Sequence, residues 1–357
     1  MLLQMHLWVG ILAALYLTLM GLTGALLVFE DEFTQRSLPL STAPTSTSQL
    51  RPAQALAAAQ SSAPHTRCTF LSFPAEDLPF YRVWLRNSSG QQSVILVDAA
   101  TGALHSGFHP WIETVHDLHV YLLLGPRGLV VNGLGATCLL LLALTGMILW
   151  WPGRARLRQA VRVKFSASWR RINHDLHNAV GFWCILFLFW WGISGVYFVW
   201  PAPFARAVDA VFSVRAMRPP AVPADQPGPG VSLDSIVAAA RQAEPLGSIS
   251  GVAPADKPGE STIVYVDTGR PGDFSHRAIL YYGAATGRLL AVWHYGQNQT
   301  VGDWILWAMH PLHFGNLWGL GPKILWALAG LTLPLLSVTG LLMYWNRKLR
   351  SLLHRPR

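Results

Sequence analysis

Residues 6–29 read HLWVGILAALYLTLMGLTGALLVF and contain no Asp, Glu, Lys or Arg. About 20 consecutive apolar residues suffice to cross a hydrocarbon layer as an α-helix, so Leu7–Phe29 is predicted to span a membrane. Three further runs share this character: Leu129–Trp151, Ala179–Trp200 and Ile324–Trp345. Only 13% of the residues are charged, against about 25% in an average soluble domain. The sequence therefore predicts a mainly α membrane protein with four transmembrane helices.

The basic residues indicate the orientation of these helices. Residues 152–173 hold seven Arg and Lys and no acid, and five more follow Trp345, whereas the long loops 31–118 and 201–303 are nearly balanced. By the positive-inside rule, both termini and the middle loop are cytoplasmic and the long loops lie outside. Because the arginines adjoin membrane spans, nucleic acid is not an expected partner. Leu7–Phe29 follows no basic segment and no cleavage site follows it closely, so we expect it to be retained.

Each long outer loop is predicted to fold as a small α+β module. An Ala-rich helical stretch comes first, and strand-like runs and a turn ending in Thr-Gly follow it. The predicted helices are Pro52–Gln60 and Leu233–Ala243, the strands are Phe80–Arg86, Ser93–Val97, Thr262–Val266 and Ala278–Tyr282, and the turns are Ala99–Gly102 and Ala284–Gly287.

These predictions divide the chain into eight segments. They are transmembrane helix 1 (1–30), outer module 1 (31–115), a histidine segment with transmembrane helix 2 (116–151), the basic loop (152–173), transmembrane helix 3 (174–200), outer module 2 (201–303), a histidine segment with transmembrane helix 4 (304–345) and a basic tail (346–357).

The spacing of histidines and glycines indicates an internal duplication. Glycines follow His6 after four, fifteen and eighteen residues, and the same spacing recurs after His177. His116 and His310 each begin a His-x-x-His pair and each precede a glycine by thirty residues. The sequence therefore predicts two tandem repeats, each consisting of a helix, an outer module, an outer histidine pair and a second helix.

The duplication makes His6 equivalent to His177 and His119 equivalent to His313. Equivalent residues can face each other across a pseudo-twofold axis, and two facing imidazoles are what a six-coordinate haem b requires. We therefore predict two haems, one near each membrane surface, with these four histidines as axial iron ligands. The glycine stripes would give a flat macrocycle room, although plain helix packing would produce the same pattern.

Other interpretations of the histidines are open at this point. They could be ordinary interfacial polar residues, or the His-x-x-His pairs could bind zinc or copper. A second tier of candidates, His116, His310 and His174, could hydrogen-bond haem propionates or water. Pro126 interrupts the helix phase, so the first outer pair lies either on a short separate helix or on a long kinked one. The three cysteines form no Cys-x-x-Cys motif, which disfavours an iron–sulfur cluster and c-type haem. No catalytic acid–base residue is predicted.

The ordered set of motifs resembles the PepSY-associated transmembrane family over essentially the whole chain. The segments that carry the resemblance are His6–Gly10, Gly21–Phe29, Asp117–His119, Leu144–Trp151, His177–Trp183 and Pro311–Gly315. The outer modules are similar to PepSY domains. The resemblance implies a Gram-negative inner membrane, haem b bound by histidines of the spans, and reduction of ferric siderophores in the periplasm. His6, His177, His119 and His313 match the histidines of the family.

The sequence thus predicts a membrane haem b oxidoreductase that passes electrons from an unknown cytoplasmic or quinol donor to a periplasmic ferric siderophore. Two other hypotheses are open. The PepSY-like modules could make the chain a membrane-anchored binding or regulatory protein without redox activity. Alternatively, reduced haem could donate electrons to a periplasmic protein.

Overall fold

The computed structural model describes residues 1–37, 50–75, 78–105, 111–217, 220–221, 231–256, 259–269, 276–317 and 319–349. Residues 350–357, the end of the predicted basic tail, lie outside the described residues. The helices are α1 Leu2–Leu27, α2 Glu30–Ser37, α3 Pro52–Ser62, α4 Trp111–Tyr121, α5 Pro126–Trp150, α6 Leu157–Ala160, α7 Trp169–Trp183, α8 Ile185–Val199, α9 Pro201–Phe212, α10 Leu233–Ala243, α11 Val301–Phe314, α12 Leu320–Gly330 and α13 Thr332–Tyr344. The strands are β1 Arg67–Ser72, β2 Phe80–Arg86, β3 Gln92–Asp98, β4 Leu104–His105, β5 Ser248–Ala253, β6 Ser261–Asp267, β7 Arg277–Gly283 and β8 Leu289–His294.

Three helical stretches among the described residues are long and apolar enough to cross a membrane: Leu2–Leu27, Pro126–Trp150 and Leu320–Arg347. They correspond to predicted spans 1, 2 and 4. Their outer surfaces suit lipid, since Leu12 and Leu15 on α1 are each 83% exposed. Glycines bring the spans close together on the inside. A Cβ on Gly21 would lie 2.6 Å from the Gly330 carbonyl oxygen, which no side chain tolerates.

The third predicted span, Ala179–Trp200, is not one continuous helix. The chain forms α7 and α8 instead, bent by 63° at a break between them. Helix α7 carries Arg170, Arg171 and Asp175, whereas α8 contains no charged residue. Charged side chains are costly in hydrocarbon. The break lies at Cys184, inside the apolar run Ala179–Trp200, and α7 and α8 reach a spanning length only together.

Both His-x-x-His segments lie on short helices, α4 and α11, that are separate from the spans after them. Helix α4 ends at Tyr121 and α5 begins at Pro126, while α11 ends at Phe314 and α12 begins at Leu320. Of the two arrangements open for the first pair, the structure has the separate helix. Gly125 and Gly319 precede the new helices with φ of 58° and 85°, a region that residues with a side chain rarely adopt.

The eight strands form one antiparallel sheet in the order β4-β3-β2-β1-β5-β6-β7-β8. The four predicted strands are present, one of them with identical bounds and the others one residue longer at each end. Each predicted turn joins the last two strands of its half. The sequence analysis did not identify β1 and β5, which lie at the centre. The outer regions therefore share a single sheet rather than forming two separate modules.

Helices α3 and α10 pack on the sheet and bury its apolar core. Ala55 and Ala59 of α3 and Ile236, Val237 and Ala240 of α10 contact buried residues of the strands. The two helices are also joined directly, because the Ala53 backbone N–H donates to the Asp234 carboxylate at 2.8 Å. The edge strands β4 and β8 precede α4 and α11 in the chain. Each histidine helix thus follows an edge strand of the sheet in the chain.

The junction between the halves depends on Gly251. In the β1–β5 pairing, Leu71 lies opposite Val252 and Ser72 opposite Gly251. A Cβ on Gly251 would lie 2.3 Å from the Phe70 ring and 3.2 Å from the Leu71 carbonyl oxygen. The Phe70 ring is itself held between Trp84 and Tyr265.

We predict that Gly251→Ala destabilises the outer sheet by about 1–3 kcal/mol, the usual cost of overpacking. Thermal unfolding of the purified protein, with limited proteolysis of the outer region, measures the effect. The control is Gly321→Ala, since a Cβ on Gly321 meets nothing within 4 Å. Equal melting temperatures for the two variants would show that the close approach at the junction does not constrain the sheet.

Candidate functional site

His6 and His177 face each other on α1 and α7. Their ring centroids are 6.5 Å apart and the ring planes are nearly perpendicular, at 89°. Residues 171 positions apart in the chain therefore meet, as the sequence analysis predicted for this pair. We call these two residues the inner pair.

His119 and His313 lie on α4 and α11 and form the outer pair. Burial, with smaller contributions from His313 and His116, lowers the pKa of His119 to about 3. Burial also lowers the pKa of His313, to about 4. Phe198 lies 5.1 Å from the His313 ring. At neutral pH the outer pair presents neutral imidazoles, the form that binds metal ions.

The four histidines share one contact, a hydrogen bond between Nδ1 and a hydroxyl on another helix. The partners are Thr145 for His6, Thr23 for His119, Thr339 for His177 and Ser194 for His313, at 2.8, 2.8, 2.9 and 2.7 Å. In each case the histidine and the hydroxyl belong to the same half of the chain. With Nδ1 engaged by the protein, Nε2 is the ring nitrogen that can bind a metal.

A glycine follows each of these hydroxyl residues, and three of the four glycines contact the same imidazole. A Cβ on Gly24 would lie 3.1 Å from Cε1 of His119, one on Gly146 3.1 Å from Cε1 of His6, and one on Gly340 3.3 Å from Cε1 of His177. Gly195 differs, because its nearest neighbour is Ala136 at 2.8 Å. The Thr-Gly dipeptides thus provide both a hydrogen-bond partner and the space for a ring.

Side chains of the spans also donate hydrogen bonds to carbonyls in the last turns of α4 and α11, the helices that carry the His-x-x-His segments. Asn132 of α5 donates from Nδ2 to the carbonyl of His119 at 2.8 Å and accepts a hydrogen bond from Tyr16. In the second half, Trp326 Nε1 donates to the carbonyl of Leu312 at 2.7 Å. Carbonyls at a helix C-terminus need such donors when they are buried. The spans therefore fix the last turns of α4 and α11, which carry the outer pair.

A family model for the PepSY-associated TM region matches residues 3–347. The chain belongs to this family. No curated protein matches the chain. Membership agrees with the apolar spans and covers both histidine pairs, and the resemblance to this family is confirmed.

The second-tier histidines of this family member have different surroundings. Burial lowers the pKa of His116, but Asp117, Glu30 and Glu113 outweigh burial and raise the pKa overall. His310 stacks on Phe314 at 4.4 Å between ring centroids. The exposed His174 lies 3.2 Å from the Asn178 amide. Within each His-x-x-His segment, the second histidine is therefore the one directed at a span.

Among the described residues, no group of three or more His, Cys, Asp or Glu side chains is placed to hold a metal ion. The inner pair offers two imidazole ligands. A metal bound between them needs further ligands from another source, as a macrocycle would provide.

The sequence analysis missed the four hydroxyl residues, Thr23, Thr145, Ser194 and Thr339. A signal for them was present, because each immediately precedes a glycine of the repeated pattern. The sequence analysis related that pattern to a cofactor slot or to helix packing. The structure shows instead that Gly24 and Gly146 lie against histidines of other helices.

Helix α11, which carries His310 and His313, is anchored through a buried carboxylate. Asp303 is fully buried, and its oxygens accept hydrogen bonds from the backbone N–H groups of Arg215, Met217, Gln299 and Thr300 at 2.9–3.1 Å. These bonds hold the pKa of Asp303 well below its usual range. They connect the start of α11 to the segment that follows α9.

We predict that Asp303→Asn lowers the free energy of unfolding at pH 7 by about 1–3 kcal/mol, because an amide leaves buried N–H groups without an acceptor. The depressed pKa makes the contribution of Asp303 full above the unfolded pKa of about 3.9 and progressively lost as pH falls below it. Chemical unfolding between pH 7 and pH 3 measures this. The wild-type advantage should shrink toward pH 3, and an advantage independent of pH would contradict the assignment.

Proposed function

We propose that this protein is an inner-membrane di-haem b oxidoreductase that passes electrons across the membrane to reduce periplasmic ferric siderophores and release Fe(II). The observation that carries the proposal is the inner pair, whose ring centroids lie 6.5 Å apart. Two imidazole nitrogens bound about 2 Å on either side of one metal ion place their ring centroids roughly 6 Å apart. The residues present therefore fit bis-histidine ligation.

When bound, haem b supplies one-electron chemistry at its iron. His6 and His177 would hold one haem through Nε2, and His119 and His313 would hold the other. Gly24, which contacts His119, lies eighteen residues after His6 on α1, a rise of about 27 Å. Two sites separated in this way lie near opposite surfaces of a hydrocarbon layer of about 30 Å. The protein thus provides two redox positions across an insulating barrier.

The proposal includes the orientation and the internal repeat. In it the inner pair lies at the cytoplasmic side, the shared sheet in the periplasm and both termini in the cytoplasm, an orientation that the basic loop and tail support. Matching histidine–hydroxyl bonds in each half support the view that the halves are tandem copies with PepSY-like outer parts. An unidentified cytoplasmic protein or a quinol would supply electrons to the inner site.

The chemistry at the outer side is a transfer of one electron to each Fe(III). Hard oxygen ligands bind Fe(II) more weakly than Fe(III), so reduction releases iron from the chelate. The chain needs no acid–base residue for this step. Its own residues would hold the outer haem between α4 and α11, beneath the edges of the sheet.

The number of haems bound by single histidine variants tests the ligand assignment. Wild-type protein should bind two haems per chain. Replacing either member of a pair with Ala should leave one, because six-coordinate haem loses half of its axial ligation. The pyridine haemochrome assay on purified full-length variants measures the ratio. The control is His105→Ala, since His105 lies on strand β4 of the sheet and not on a helix of the histidine sites.

Two results would contradict the assignment. If dithionite-reduced wild-type protein shows no sharp Soret and α bands, the haem assignment is wrong. A PepSY-type binding or regulatory protein would then be favoured. Two haems in all four variants would mean that other residues ligate the iron.

Rapid mixing of reduced protein with a ferric hydroxamate siderophore tests the substrate. We expect the reduced bands to disappear with one Fe(II) formed per electron lost, measured with excess ferrous chelator. The matched control is the gallium form of the same siderophore, which has the same charge and cannot be reduced. A haem spectrum unchanged over minutes would favour electron donation to a periplasmic protein instead.

A further inference from the structure

The hydroxyl groups that contact the four histidines each form a second short hydrogen bond. Thr145 lies 2.6 Å from the carbonyl oxygen of Leu141, and the other three lie 2.7 Å from the carbonyls of Leu19, Trp190 and Leu335. Two oxygen atoms at this distance repel each other unless a proton lies between them. A carbonyl has no proton to give, so the hydroxyl must donate.

This geometry fixes the proton on each imidazole. A hydroxyl has one proton, and here the helix carbonyl accepts it. Toward the histidine, the hydroxyl oxygen is therefore an acceptor, and Nδ1 must carry a proton to donate. In a neutral imidazole, Nε2 then holds a lone pair.

We propose that Thr23, Thr145, Ser194 and Thr339 are positioning residues that hold each histidine as the Nδ1–H tautomer and thereby make Nε2 the metal-binding atom. The tautomer follows from the hydrogen bonds alone. The consequences for haem affinity and reduction potential rest on the proposed function.

The adjacent glycine completes the arrangement. At Gly146, ring atom Cε1 of His6 occupies the space that a side chain would fill. The ring thus rests on the helix beside its hydroxyl acceptor, which restricts its rotation. His313 lacks the glycine contact and is instead surrounded by Phe198 and Phe314. A ring fixed in this way loses little rotational entropy when it binds a metal.

A hydroxyl is a neutral acceptor and polarises Nδ1–H less than a carboxylate does. The imidazole stays close to neutral rather than gaining imidazolate character. A less basic ligand stabilises Fe(III) less, which favours a higher reduction potential. Complete loss of the hydroxyl acceptor raises the reduction potential further. It also weakens ligation by roughly 10–100-fold, the usual effect of removing the hydrogen-bond partner of a metal-binding histidine.

The chain contains matched controls for this effect. Thr18 on α1 and Thr137 on α5 donate to the carbonyls of Ala14 and Gly133 in the same way, and among the described residues neither hydroxyl is hydrogen-bonded to a histidine. Thr145→Val removes an acceptor from His6, whereas Thr137→Val on the same helix removes only an intrahelical bond. Thr145→Ser keeps the acceptor and should restore wild-type behaviour.

The test combines two readouts on the full-length protein in lipid bilayers. Nitrogen-15 NMR of histidine-labelled protein distinguishes protonated from unprotonated ring nitrogens and does not require haem. Redox titration follows the haem bands. We expect His6 to be protonated at Nδ1 in wild type, Thr137→Val and Thr145→Ser. In Thr145→Val we expect a mixture of tautomers, a raised potential of the inner haem and a 10–100-fold loss of haem affinity.

The outcomes separate this proposal from the proposed function. Nε2–H as the wild-type tautomer of His6 would overturn it, even if Thr145→Val fails to fold. Equal potentials and tautomers in Thr145→Val and Thr137→Val would overturn it as well. A wild-type protein without haem would instead overturn the proposed function, while the NMR result would still decide the tautomer.

Discussion

An imidazole within a bundle of apolar helices must have a hydrogen-bond partner, because water is scarce and an unpaired polar group is costly there. Four histidines in this chain meet that requirement through a hydroxyl on another helix of the same half. These bonds connect each inner histidine to the second span of its half and each outer histidine to the first span of its half. The arrangement of the spans therefore depends on the same contacts that orient the rings.

The shared sheet has a corresponding role outside the spans. Because β1 pairs with β5, the two outer regions form one layer, and the edge strands β4 and β8 precede the helices that carry the outer pair. The Asp303 carboxylate holds the start of α11, and the Asn132 amide holds the end of α4. The helices of the outer pair are thus each fixed by a side-chain bond at one end.

Local patterns predicted much of this fold. Alternating strands with Thr-Gly turns identified both hairpins, and apolar length identified three continuous spans. Strands β1 and β5 were not predicted because Arg67–Ser72 and Ser248–Ala253 show little alternation of apolar and polar residues. Both strands are defined mainly by pairing with each other and with neighbouring strands. The bend between α7 and α8 was not predicted because it falls inside the apolar run Ala179–Trp200, where a hydropathy window records no change.

The sequence by itself determined the elements and the positions of the chemistry: apolar runs long enough to cross a bilayer, histidines at their ends, and two Thr-Gly or Ser-Gly dipeptides in each half of the bundle. Only the tertiary structure decided that His6 meets His177 and that each Nδ1 meets a particular hydroxyl. The physical reason is range. Helix length and strand alternation are properties of neighbouring residues, whereas an imidazole and its acceptor lie more than ninety positions apart and meet only when the helices pack.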